Sequence, residues 1–146
     1  MSRSLVPIAA LVLATSLACD PFFTFSGGAL SGEAKPVPAD WAFTDEVDTI
    51  QLETRPDDPY SVNVWGVAVG NDIFVAGAAG RTWAGYIAAD PDVRIRVGDD
   101  IYELRAEQTE DPAELEAFLV AAKKKYDFEL DPEDRAGATL YRLRAR

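Results

Sequence analysis

Apolar and polar positions alternate along most of the second half of this chain. Ile50 and Leu52 interleave with Thr49, Gln51 and Glu53, the period of a strand with one buried face. "TRPDDP" (Thr54 to Pro59) reads as a turn, and "SVNVWGVAV" (Ser61 to Val69) as one strong strand. "GND" (Gly70 to Asp72) turns that strand into Ile73 to Ala78. Trp83, Tyr86 and Ile87 then fall at i, i+3 and i+4, one face of a short helix that Asp90-Pro91 ends. Val93, Ile95 and Val97 alternate with Arg94 and Arg96, and "GDD" (Gly98 to Asp100) leads into Ile101 to Glu107. The two hairpins echo one another, "VAVGNDIFVAGA" against "IRVGDDIYELRA", as convergent hairpins do.

A second helix has a clear start. Asp111 caps it, Pro112 suits its first position, and Glu114 completes a capping-box pattern. Leu115, Phe118, Leu119, Ala122 and Tyr126 form its apolar stripe, and Lys123, Lys124 and Lys125 sit where the helix dipole favours cations. A last strand, Thr139 to Ala145, turns Tyr141 and Leu143 inward and Arg142 and Arg144 outward. Five or six mostly antiparallel strands with two helices predict a mainly β (α+β) domain, a small split or closed antiparallel barrel.

The start of the chain follows other rules. Arg3 precedes an uncharged apolar run, Leu5 to Ala18, shorter than the roughly 20 residues of a membrane span and suited to a signal peptide. Cys19, the only cysteine, comes next. The pattern resembles a bacterial lipoprotein signal, with Ser16 where a leucine is usual. That resemblance implies removal of residues 1–18, a lipid on Cys19, and a place in the bacterial cell envelope, anchored on the periplasmic face of a membrane. Residues 19–40, rich in Gly, Ser and Pro, read as a flexible tether. Phe22, Phe23 and Phe25 within it suit either the membrane interface or docking on the domain. The domain is then 41–146.

Composition narrows the chemistry. The 146 residues fit one core, and 48% of them are hydrophobic. A net charge of −11 argues against nucleic acid as a partner. With no histidine, the chain holds no Ser-His-Asp triad and no histidine base, and a single cysteine rules out an internal disulfide. The acidic residues Asp90, Asp92, Asp99 and Asp100 match no calcium-loop spacing, so no metal is expected.

From Val47 to Arg146 the order of elements resembles the split-barrel flavin-binding superfamily, typified by pyridoxamine 5′-phosphate oxidase, and within it the deazaflavin-dependent nitroreductase branch. "TWAGYIAADPDVRIRV" carries the resemblance: an aromatic, a short apolar helix, an Asp-Pro-X-Val turn and a barrel strand. The resemblance implies FMN or a deazaflavin as cofactor and a homodimer with the cofactor between subunits. It also implies a basic, glycine-rich turn that holds the cofactor phosphate. Here that segment is "TRPDDPYS". Arg55 and Ser61 stand in for the arginine and serine, the glycines are missing, and Asp57 and Asp58 occupy the turn. Two carboxylates beside a phosphate repel it.

Candidate binding residues are Arg55, Ser61, Asn63, Trp65, Arg81, Trp83 and Tyr86. Arg81 is the best anion donor among them, and aromatics at helical or strand spacing are more often core than pocket lining. The leading expectation is an envelope lipoprotein whose flavin-reductase-like domain binds a small anionic or aromatic ligand and has lost the phosphate turn. The alternatives are a flavin- or deazaflavin-dependent oxidoreductase acting on quinones or nitro compounds, and a protein-interaction module.

Overall fold

The computed structural model describes residues 27–146. The expected signal peptide, Cys19 and the phenylalanines at 22, 23 and 25 lie outside the described residues. Eight strands form one sheet: β1 (Glu33–Ala34), β2 (Ile50–Thr54), β3 (Tyr60–Val64), β4 (Val67–Val69), β5 (Asp72–Ala78), β6 (Asp92–Val97), β7 (Asp100–Thr109) and β8 (Ala138–Ala145). A 3-10 turn covers Ala42–Glu46, and the helices are α1 (Thr82–Ala89), α2 (Pro112–Tyr126) and α3 (Pro132–Arg135).

The strand order is β3-β2-β6-β7-β8-β5-β4, with β1 alongside β7 in parallel. All other pairings are antiparallel. β3 and β4 lie at opposite ends of this order, yet only Trp65 and Gly66 separate them in sequence. A chain that crosses from one edge to the other in two residues requires a rolled sheet, and the gap between those edges is the split of the barrel. The expected single strand Ser61–Val69 is therefore two strands with a corner. Gly66 permits the corner, since a Cβ there would lie 2.8 Å from Ile50 Cδ1.

Two cores result. Leu52, Val75, Trp83, Ile95, Leu104 and Leu143 pack inside the barrel. Val67, Phe74, Leu140 and the α2 residues Phe118, Leu119 and Ala122 pack outside it. Both hairpin turns place a glycine at positive φ, Gly70 at 59° and Gly98 at 60°. Asp111 caps α2 by accepting from the Ala113 amide at 2.9 Å. Its capping-box partner does not reciprocate: the Glu114 carboxylate bonds Thr109 Oγ1 and Arg142 instead.

Residues 27–35 fall within the stretch expected to be a tether, and here they lie on the sheet as a strap. Gly27 and Ser61 exchange both backbone hydrogen bonds, at 2.8 and 2.9 Å. The Glu33 amide donates to Asp99 O and the Lys35 amide to Ile101 O, each at 2.9 Å. Between these ends Leu30 is buried, and its amide donates to Glu53 Oε2 at 2.6 Å.

Candidate functional site

The turn that the resemblance sets in the place of a phosphate cradle is Thr54 to Pro59, between β2 and β3. Arg55 adopts a left-handed backbone, φ 57°, which costs a non-glycine residue about 1 kcal/mol. The turn closes through the Asp58 amide, which donates to Arg55 O at 3.0 Å. The side chain closes on itself too: Arg55 Nη2 lies 3.2 Å from Asp58 Oδ2. Its guanidinium stacks 4.2 Å from the centre of the Tyr86 ring, a cation–π contact. Tyr60 meets Tyr86 edge-on, with centroids 5.2 Å apart. The fold thus brings Arg55 and Tyr86 together from the candidate set, and Tyr60 joins them unforeseen.

The other candidates scatter. Ser61 is buried with its backbone taken by Gly27, and a Cβ at position 27 would come within 2.7 Å of Ser61 Oγ. Asn63 is exposed, as is Arg81, which has no ion pair among the described residues. Trp83 is 6% exposed in the barrel core, with its ring 5.6 Å from that of Tyr141. Arg94 and Arg96 do form an outer face, as expected. Arg94 grips Glu53 with two bonds of 2.7 Å, and Arg96 donates to Ser31 O at 3.0 Å.

Trp65 belongs to a different place. At the β3–β4 corner its ring faces outward, 45% exposed, stacked on Tyr126 with centroids 4.5 Å apart and edge-on to Phe128. Beside it opens a cavity of about 560 Å³, within the range of about 300–1,000 Å³ usual for small-ligand sites. Leu115 and Phe118 of α2, Leu140 of β8, and Phe128 and Leu130 from the segment after α2 supply its apolar walls. Glu133 and Asp134 are its charged residues.

The corner that presents Trp65 is locked from behind. Lys125 Nζ donates to Thr44 O and Gly66 O, both at 2.7 Å, and the Tyr126 hydroxyl donates to Asp48 O at 2.9 Å. Burial lowers the Lys125 amine below its ordinary value and, with Asp48 adding to the effect, pushes the Tyr126 phenol up to about 12. The lysine run therefore has a structural role at Lys125, while Lys123 pairs with Asp127 and Glu129.

Sequence reading missed this cavity because its walls come from four separate elements. The Phe128–Leu130 alternation directly after α2 was its one local trace.

No family model matches the chain, and no curated protein matches it. Solved structures do. A conserved hypothetical protein of Mycobacterium tuberculosis, Rv2991, is 24% identical over 71% of this chain and 76% of its own, with a TM-score of 0.58. An F420 reductase is 24% identical over 75% of this chain and 96% of its own, with a TM-score of 0.52. A provisional pyridoxamine 5′-phosphate oxidase from Listeria innocua is 14% identical over 70% of this chain and 86% of its own, with a TM-score of 0.57. This chain has the split-barrel fold. The likeness is one of fold, and it bears out the flavin-reductase-like architecture expected from "TWAGYIAADPDVRIRV".

Proposed function

We propose that this protein is a lipid-anchored envelope lipoprotein whose split-barrel domain binds a small ligand and does not use a flavin. One observation carries the reading: the turn that would hold a cofactor phosphate already engages its cation and its backbone, leaving Arg55 Nε as its donor without a hydrogen-bond partner among the described residues. Arg55 is neutralised by Asp58 and seated on Tyr86, and the Ser61 backbone is paired with Gly27. A phosphate would have to break these contacts and sit beside Asp57 and Asp58. A ligand-sized cavity lies elsewhere, beside Trp65. The homodimer that the resemblance implies is part of this reading, and sedimentation of the full chain measures it.

The likeness to an F420 reductase favours a second reading, a deazaflavin- or FMN-dependent oxidoreductase. One experiment separates the two. The full chain is purified, its visible absorption recorded, and FMN and F420 titrated by fluorescence. No saturable binding tighter than about 10 μM, a binding free energy of about −7 kcal/mol, is expected. Stoichiometric flavin in the purified protein overturns the proposal. The anchor is tested apart from this: Cys19→Ala abolishes palmitate incorporation, and incorporation that persists in the variant refutes it.

A further inference from the structure

We infer that the cavity beside Trp65 takes a small apolar molecule bearing one cationic group, such as an arylalkyl amine. The inference rests on the ligand-binding reading above and names the ligand's class. The walls are mainly hydrocarbon and aromatic, so their apolar side chains supply burial and shape but no hydrogen bonds to a polar body. Charge enters only where Glu133 and Asp134 line the cavity.

Neither carboxylate has an ion pair among the described residues, and the two cations nearest them in sequence and along α2, Arg135 and Lys123, are engaged elsewhere. Arg135, next in sequence, pairs with Glu116 at 3.4 Å and donates to Leu130 O. Lys123 is held between Asp127 and Glu129 at 3.0 and 2.9 Å. An incoming cation meets two uncompensated charges there, and an anion meets repulsion, reinforced by the chain's net charge of −11. Trp65, Phe118 and Phe128 add aromatic surfaces that attract an ammonium group and offer an anion nothing. The same argument excludes a flavin phosphate from this cavity.

The test uses three matched probes on the full chain: 4-phenylbutylamine, 4-phenylbutanol and 4-phenylbutanoate. Titration calorimetry gives affinities, and tryptophan emission locates the event, since Trp41 is 2% and Trp83 6% exposed while Trp65 is half-exposed. The amine binds at least about tenfold more tightly than the carboxylate, with the alcohol between them. The pair Glu133→Gln and Asp134→Asn brings the three probes to within about twofold of one another. Ala78→Phe, at an exposed residue lining the cavity, fills it and removes binding while the melting temperature holds. Equal affinity for amine and carboxylate overturns the charge assignment but leaves ligand binding standing. Absence of saturable binding by all three overturns the inference itself. Stoichiometric flavin would overturn the earlier reading and would not touch the probe result.

Discussion

Glu53 is the most exacting test of how the strap is held. Its carboxylate is 3% exposed and accepts three bonds: two from Arg94 at 2.7 Å and one from the Leu30 amide at 2.6 Å. Glu53→Gln keeps an acceptor for the Leu30 amide but removes the negative charge from Arg94. Breaking a buried pair from one side costs about 3–5 kcal/mol. The Arg94 side chain is 29% exposed and regains water when released, so the lower end applies, about 3 kcal/mol. At about 4 °C per kcal/mol this lowers Tm by about 12 °C. The double variant Glu53→Gln with Arg94→Leu recovers most of that loss, because it leaves no unpaired guanidinium. Hydrogen exchange gives an independent readout: the Leu30 amide is slow in the wild type and at least about tenfold faster in Glu53→Ala, where its acceptor is gone. A Tm within about 2 °C of wild type, equal to about 0.5 kcal/mol, with the Leu30 amide still slow, refutes the latch.

Other outcomes follow from the same contacts. Trp83→Ala costs about 3–5 kcal/mol in denaturant unfolding, whereas Trp65→Ala, half-exposed, costs less than about 1.5 kcal/mol; the reverse order would contradict their placement. Lys125→Met removes both bonds that pin Thr44 and Gly66 and lowers stability by about 2 kcal/mol, read by urea unfolding. The Tyr126 phenol is raised from its ordinary value of 10 to about 12, so its protonated form is favoured by folding. Its contribution is complete below pH 10 and is lost as pH rises toward about 12. Tm measured through that window falls more steeply in wild type than in Tyr126→Phe.

The barrel was legible because its core is written locally. Ile50 and Leu52, or Val93, Ile95 and Val97, alternate on a period of two, and each strand can be read without knowing its neighbours. The same rule misread Ser61–Val69. The apolar run continues through Trp65 and Gly66, and only the Gly66 contact with Ile50 shows that the chain bends there. Glu114 at the third helical position suited a capping box, but the tertiary pull of Arg142 and Thr109 won. The strap was hidden by its composition. Gly27, Gly28 and Gly32 suggest flexibility, yet Gly27 is what lets the backbone reach Ser61. Of the candidate site, Arg55 and Tyr86 came together, while Trp65 faced a cavity whose acidic residues, Glu133 and Asp134, carried no signal of their own in so acidic a sequence.

The strap and the turn act on one end of the barrel in the same direction. Asp58 pairs with the Arg55 guanidinium at Nη2, Gly27 satisfies the Ser61 amide, and Leu30 with Arg94 satisfies Glu53. Each contact uses a donor or charge that an anion would otherwise meet. Glu53, Ser61 and Arg94 are also register partners in the β2–β3 and β2–β6 ladders, so these contacts tie the strap to the barrel strands themselves. At the split, the opposite holds. The two-residue corner turns Trp65 away from the barrel, and the segment after α2 covers it only partly, leaving apolar walls and unpaired carboxylates open together. Groups already satisfied have little to offer a ligand, and groups left open have more. On that ground the side of the molecule to probe first is the one beside Trp65.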